Sequence, residues 1–172
     1  MSAVIRHLNI AINGKPIVDD VDLDIADGER VGLVGSSGSG KSMIARAMMG
    51  LLPATAQVTG SVELGGTQIV GASDAAVADL RGRYVGMVFQ NPSASLNPVM
   101  TVGRQIAEAL RVHGRPSREE IRRRSLDMLT EVQIRDPERV LKAYPHELSG
   151  GMGQRVMIAM MLVTEPELLI AD

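Results

Sequence analysis

Gly35-Ser36-Ser37-Gly38-Ser39-Gly40-Lys41-Ser42 has the form G-x-x-x-x-G-K-[ST], the pattern of a phosphate-binding loop. Its glycines and small serines let the backbone curl until several N–H groups converge on one point. Residues 29–34 before it, Glu-Arg-Val-Gly-Leu-Val, read as a strand. Residues 43–49 after it read as a helix, with Gly50 placed to cap it and Pro53 beyond. That helix aims its unpaired N–H groups and positive dipole end at the same point. In such a loop Lys41 reaches the β- and γ-phosphates and the Ser42 hydroxyl holds Mg²⁺. A Gly/Ser-rich linker is the competing reading; Lys-Ser followed by an apolar helix argues against it.

The 172 residues suffice for one domain with a real core. A net charge of -2 gives no bulk electrostatic case for nucleic acid, and 2% aromatic residues leave little for base stacking. The absence of cysteine excludes disulfides, thiol catalysis and Cys-based metal sites. His7, His113 and His146 have no metal-ligand spacing. No basic-then-apolar leader is visible, and the longest apolar run, 156–163, is far too short to span a bilayer. A soluble chain is expected, with any membrane role supplied by a partner.

Residues 4–12 and 18–25 read as strands joined by the turn signal Asn13-Gly14. Val21, Leu23 and Ile25 alternate with Asp20, Asp22 and Asp24, which makes the aspartates a solvated face rather than a metal site. Residues 61–64 and 67–70 flank Gly65-Gly66 as a second hairpin, 73–81 suggest a short helix, and 84–89 form an apolar strand running into Gln90. Residues 101–112 place Val102, Ile106, Ala109 and Leu110 on one helical face. Ser117 and Glu120 form a capping-box pattern before a helix that places Ile121, Met128, Leu129 and Val132 on one face. Arg122-Arg123-Arg124 reads as that helix's solvated surface, and Asp136-Pro137 starts another short helix. A second glycine-rich stretch, Leu148-Ser149-Gly150-Gly151-Met152-Gly153-Gln154, precedes a helix with Met152, Val156, Ala159, Met160 and Val163 on one side. Its methionines read as core filler. The apolar strand 168–171 then ends in Asp172.

Four elements thus stand in order: the phosphate loop, a strand into Gln90, Leu-Ser-Gly-Gly-x-x-Gln, and a strand into Asp172. Essentially the whole chain resembles the nucleotide-binding subunit of an ABC transporter. Within that family it resembles the peptide/nickel importer group, through Phe89-Gln90-Asn91-Pro92-Ser93-Ala94-Ser95-Leu96-Asn97-Pro98, Tyr144-Pro145-His146-Glu147-Leu148 and Arg155-Val156-Met157-Ile158-Ala159-Met160.

The resemblance implies an α/β P-loop nucleoside triphosphate hydrolase fold of ABC type. Its parts are a parallel core sheet, an N-terminal antiparallel sheet and a helical arm, with the C-terminal part missing. The implied division is an ATP-binding core over 1–90, a helical subdomain over 91–147, and signature loop, helix and Walker B strand over 148–172. ATP and Mg²⁺ are the implied cofactors. Gly35 to Ser42 would hold ATP, Asp172 and Ser42 would hold Mg²⁺, and Gln90 would touch Mg²⁺ or the attacking water. Leu148 to Gln154 would serve ATP bound by a second ABC ATPase subunit, in a homo- or heterodimer. The other implied partners are integral membrane permease subunits, docked by the arm and the 91–100 loop, and indirectly a substrate-binding protein. The implied location is peripheral, on the cytoplasmic face of the inner membrane.

Three departures from the family pattern bear on activity. Ile12 stands near the position where the family places an adenine-stacking aromatic, so base stacking is expected to weaken by roughly 1 kcal/mol or more. Gly153 occupies a signature position often polar in relatives. The family's catalytic glutamate follows the aspartate at which this sequence stops, so no residue here is assigned as catalytic, and hydrolysis by this chain alone is not expected. Uncovered apolar surface is expected around 168–172. The expected function is ATP-driven energising of a peptide or nickel importer. The alternatives are a non-hydrolytic ATP-binding subunit paired with a complete one, or a soluble ABC ATPase acting on nucleic acid or ribosomes.

Overall fold

The structure, a computed structural model, describes residues 3–89, 95–112 and 114–172. The chain divides into two units, Met1–Tyr84 and Val85–Asp172.

The first unit is built on an antiparallel sheet of four strands: β1 (Ala3–Ile12), β2 (Lys15–Ile25), β3 (Ala56–Leu64) and β4 (Thr67–Gln68), in the order β2-β1-β3-β4. Asn13 and Gly14 join β1 to β2 with φ of +51° and +77°, the double left-handed conformation that a two-residue hairpin favours. Ile5, Leu8, Ile10, Val62 and Leu64 are fully buried on one face. Asp20, Asp22 and Asp24 lie on the solvent side, alternating with half-buried Val21, Leu23 and Ile25. Among the described residues no cluster of acids or histidines is placed to hold a metal. Helix α1 (Lys41–Met48) buries Ile44, Ala47 and Met48. It stops at Gly50, φ +61°, where Leu51 N–H bonds Arg46 O at 2.8 Å and Gly50 N–H bonds Ala47 O at 3.1 Å. That pairing satisfies carbonyls that a helix end leaves open. Helix α2 (Asp74–Ala78) is capped by Ser73.

The sheet carries one deliberate break. His7 and Asp20 have φ of +48° and +47°, Gly60 has +91°, and the register of β1 shifts against both neighbours here. Side chains replace the lost ladder bonds: His7 N–H donates to Asp22 Oδ1 at 2.6 Å, Asp20 N–H to Asn9 Oδ1 at 2.9 Å, and Asn9 Nδ2 to His7 O at 2.8 Å. A Cβ on Gly60 would overlap the carbonyl oxygen of His7 and lie 2.6 Å from that of Arg6.

Residues 29–34 do not form the expected strand. Val31, Leu33 and Val34 have strand-forming side chains, but a strand exists only where a neighbour accepts its backbone bonds, and neither sheet includes them. Val34 is 93% exposed. The parallel sheet lies elsewhere, in the second unit.

There β5 (Val85–Val88) pairs in parallel with β6 (Leu168–Ala171), and Asp172 N–H closes the ladder on Val88 O at 3.0 Å. Leu168 is buried, while Leu169 stays 44% exposed. A parallel pair requires a crossover, and here it contains α3 (Val102–Val112), α4 (Arg118–Glu131), α5 (Pro137–Lys142), a 3-10 turn (Pro145–Glu147) and α6 (Gly150–Leu162). Val102, Ile106, Leu110, Leu129, Val140, Val156, Ala159 and Val163 form its core. The expected methionines, Met152 and Met160, pack against that core. Buried Gln105 is fully satisfied, taking Asn97 N–H on Oε1 and donating Nε2 to the Asn97 and Met100 carbonyls.

Two local expectations need correction. Ser117 accepts the Glu120 N–H at 3.1 Å, but the Glu120 carboxylate turns to Arg123 instead of completing a capping box. The stronger charge-assisted partner wins. Of the three arginines, Arg122 pairs with Glu138 and Arg123 with Glu120 and Asp127 on the surface. Arg124 is not solvated surface: it donates to Val163 O at 2.6 Å and pairs with Glu165.

Two outcomes follow from the sheet break. Gly60→Ala should lower unfolding free energy in urea by about 2–4 kcal/mol, whereas Gly66→Ala, with open space around it, should lose only the left-handed penalty of about 1–2 kcal/mol. His7 Nδ1 lies 2.8 Å from Asp20 Oδ1, and that bond, with the nearby Asp22 charge, raises the His7 pKa above its ordinary value. A raised pKa means the protonated form stabilises the fold at low pH and that this contribution fades as pH rises through the folded-state pKa. An NMR titration should show His7 elevated, and Asp20→Asn should bring it down.

Candidate functional site

The phosphate-loop pattern folds as a ring closed on its own lysine. Lys41 Nζ donates to Gly35 O at 2.9 Å and Ser36 O at 2.8 Å, with Ser39 Oγ at 3.4 Å. Ser39 N–H returns to Ser36 O at 3.2 Å, which tightens the turn. Gly38 and Gly40 sit at φ +78° and +90°, conformations open to glycine and costly to other residues. Gly40 also lies against β2: a Cβ there would stand 2.8 Å from Ile17 O and 3.0 Å from Val18 Cγ2. A Cβ on Gly35 would press on Ser39 Oγ at 2.7 Å. Ser36 to Ser39 are exposed, Gly40 is buried, and Lys41 and Ser42 are half-buried at the start of α1. The helix's first-turn N–H groups and dipole therefore open at the loop. An anion entering here would compete with two carbonyls for a ready-placed ammonium.

Ile12 stands at the end of β1, paired with Lys15 and Ala56. Lys15 is two strand positions, roughly 7 Å, from Ile17, whose carbonyl faces Gly40. Ile12 thus shares the end of the sheet that supports the loop, and its aliphatic side chain offers contact without a π-face.

In the second unit, Ser149 caps α6 in an extended conformation, its Oγ accepting Met152 N–H at a long 3.4 Å. Gly150 and Gly151 are exposed, and a Cβ on either would meet nothing within 4 Å. Their own chain gives no packing reason for glycine. Gly153 is buried, 4.0 Å from Leu96 at its Cβ position, so a long polar side chain there would meet the core. Leu148 is half-buried and Gln154 exposed. Tyr144 N–H donates to Glu147 Oε2 at 2.7 Å, and the Tyr144 and His146 rings stack at 5.7 Å, fixing the approach to Leu148.

Sequence reasoning missed what holds α6 in place. Arg155 Nη1 donates to Gln133 O at 2.9 Å and Val132 O at 3.2 Å, just past the end of α4. Arg124 reaches the C-terminal end of α6 through Val163 O. An arginine in an amphipathic helix reads as surface; only the tertiary position of two open helix ends reveals these clamps.

Asp172 ends β6 with its backbone in the ladder. Gln90 lies outside the described residues. Ser42 offers a hydroxyl and Asp172 a carboxylate, each a hard oxygen donor of the kind Mg²⁺ accepts. Among the described residues, no helix is long and apolar enough to cross a membrane.

A family model described as ABC transporter matches residues 18–172. The probable peptide ABC transporter ATP-binding protein y4tR of Sinorhizobium fredii is 50% identical over 88% of this chain and 46% of its own length. The oligopeptide transport ATP-binding protein OppD of Mycobacterium tuberculosis is 46% identical over all of this chain and 29% of its own length. The chain therefore spans less than half of these relatives. Among solved structures, the dimeric ATP-binding cassette MJ0796 bound to ADP and Pi is 30% identical, with a TM-score of 0.86 over 99% of this chain and 73% of its own.

The two glycine sites should differ in stability measurements. Gly40→Ala should cost about 2 kcal/mol or more in urea denaturation, from its positive φ and backbone contact. Gly151→Ala should be neutral or stabilise by up to about 1 kcal/mol, because it replaces a helical glycine in open space. The reverse order would contradict the described loop.

Proposed function

The chain belongs to the ABC transporter family, and from that we propose that it is the ATP-binding part of a peptide importer's ATPase subunit. The observation that carries this reading is the ring around Lys41, an ammonium held at the mouth of a helix N-terminus by carbonyls it can exchange for phosphate oxygens. Gly35 to Ser42 wrap the phosphates and Lys41 takes the β- and γ-phosphates. Ser42, and by resemblance Asp172 and Gln90, are the residues that would hold Mg²⁺, and the ion would supply charge to offset the phosphates. Ile12 contacts the base without stacking, so affinity rests on the phosphates.

Ser149, Gly150 and Gly151 serve a nucleotide held by a second subunit. The open Cβ positions of the two glycines support this, since space left unused by the chain admits a close backbone approach from outside. The dimeric state of MJ0796 is in keeping with that arrangement. ATP then closes a pair of subunits, and its hydrolysis reopens them. Membrane permease subunits on the cytoplasmic face receive the motion, and a substrate-binding protein supplies the cargo indirectly. Peptide cargo is favoured by the names of the two similar proteins above.

Calorimetric titration with Mg·ATP tests the reading. The chain should bind, and Lys41→Ala should weaken binding about 10- to 100-fold, the worth of charged hydrogen bonds to phosphate. Unchanged affinity in Lys41→Ala would sink the proposal. In cells carrying the intact transporter, Lys41→Ala should abolish peptide uptake; loss of nickel uptake instead would reassign the cargo.

A further inference from the structure

Arg81 lies just after α2 and reaches back to the end of α1. Its Nε donates to Met49 O at 2.8 Å and its Nη2 to Gly50 O at 3.0 Å. Nη2 also pairs with Asp74 Oδ1, in the first turn of α2, at 3.0 Å. Arg81 N–H bonds Val77 O at 3.2 Å, so the arginine is itself tied to α2. The bond to Met49 is part-buried, whereas Asp74 is 86% exposed. Solvent therefore weakens the ion pair more than the grip on α1.

That grip sits beside a gap in the packing. A cavity of about 200 Å³ is walled by Ala47, Leu52, Val58, Ile69 and Val77, with Arg81 at its side. Ala47 belongs to the last turn of α1, so this turn borders open space where an interior is normally filled. Helix α1 has eight residues, about 12 Å of length. At its start Gly40 rests against the Ile17 carbonyl, and at its end Arg81 holds Met49 and Gly50. Two fixed points set the direction of so short a rod. Lys41 stands at the opposite end from Arg81, whose Nε and Nη2 are already engaged. Arg81 is therefore placed to hold the helix, not to touch what the loop binds.

We propose that Arg81 is a positioning residue for the phosphate loop. Its fork fixes the C-terminal end of α1, and the helix carries that constraint to Lys41 and Ser42. The role in nucleotide binding rests on the reading of Gly35 to Ser42 given under the proposed function; the mechanical link rests on the bonds above. Without the fork, α1 can tilt toward the cavity. A shift of about 1 Å at its start misaligns groups that must meet phosphate oxygens together. A lysine would keep a positive charge near the helix's negative end. It lacks the planar pair of donors that takes two carbonyls at once.

The test is calorimetric titration of Mg·ATP into the chain and three variants. Arg81→Ala should bind about tenfold more weakly, and Arg81→Lys should stay at least about threefold weaker than the unaltered chain. Leu64→Val, a core change at the end of β3 away from Ile12, tests stability lost elsewhere and should bind as the unaltered chain does. Unchanged affinity in Arg81→Ala overturns the proposal. Full affinity in Arg81→Lys overturns it as well, since charge alone would then suffice. An equal loss in Leu64→Val does the same, because lost stability would explain the effect. Where Arg81→Ala fails to fold, Arg81→Lys carries both readouts. The second readout is the NMR spectrum without ATP: amide signals of Gly38, Gly40, Lys41 and Ser42 should move in the Arg81 variants and stay in Leu64→Val. If the unaltered chain binds no ATP, the proposed function falls, and the amide signals still decide the mechanical link. Loop signals that the Arg81 variants leave unmoved overturn it.

Discussion

The nucleotide-binding reading depends on one contact, the hold of the Gly35 and Ser36 carbonyls on the Lys41 ammonium. A flexible lysine on an exposed loop samples many rotamers; here two backbone carbonyls hold it. The glycines make this possible. Gly38 and Gly40 supply left-handed turns, and Gly40 is wedged against the Ile17 carbonyl, so the antiparallel sheet acts as the anvil on which the loop is bent. The loop's shape is thus supported from β2, without help from residues 29–34.

The second unit solves a different problem. In the stretch 148–154, Leu148 and Met152 pack against the core, but Gly150 and Gly151 between them have no side chain to anchor them, and the Ser149 cap is long at 3.4 Å. Arginines flanking the stretch add to its hold. Arg155, in the middle of α6, and Arg124, reaching its C-terminal end, tie α6 to α4, using carbonyls that helix ends leave open. Two glycines can then stay bare at the surface while the helix behind them is fixed.

Much of this was legible in sequence, because local chemistry dictated it. Asn13-Gly14 and Gly65-Gly66 place their hairpins, Ser117 and Asp136 open their helices, and the 3.6-residue spacing of Val102, Ile106 and Leu110 finds the core. What was illegible depended on partners distant in the chain. Residues 29–34 have the composition of a strand but no ladder. Glu120 chose Arg123 over its capping role. Arg124 has the sequence signature of surface and the position of a clamp. In the site, the motif identified Lys41, but nothing in the pattern indicated that its ammonium would rest on Gly35 and Ser36.

The break at His7, Asp20 and Gly60 has a consequence for how the first unit assembles. Three neighbouring strands each place one residue in a left-handed conformation at the same level of the sheet. Sliding any strand by one position would misalign these kinks and turn its apolar side chains outward. The irregularity therefore works as a locating pin: only one alignment of the hairpin and β3 lets all three kinks coincide, and that alignment sets Ile17 beneath the loop.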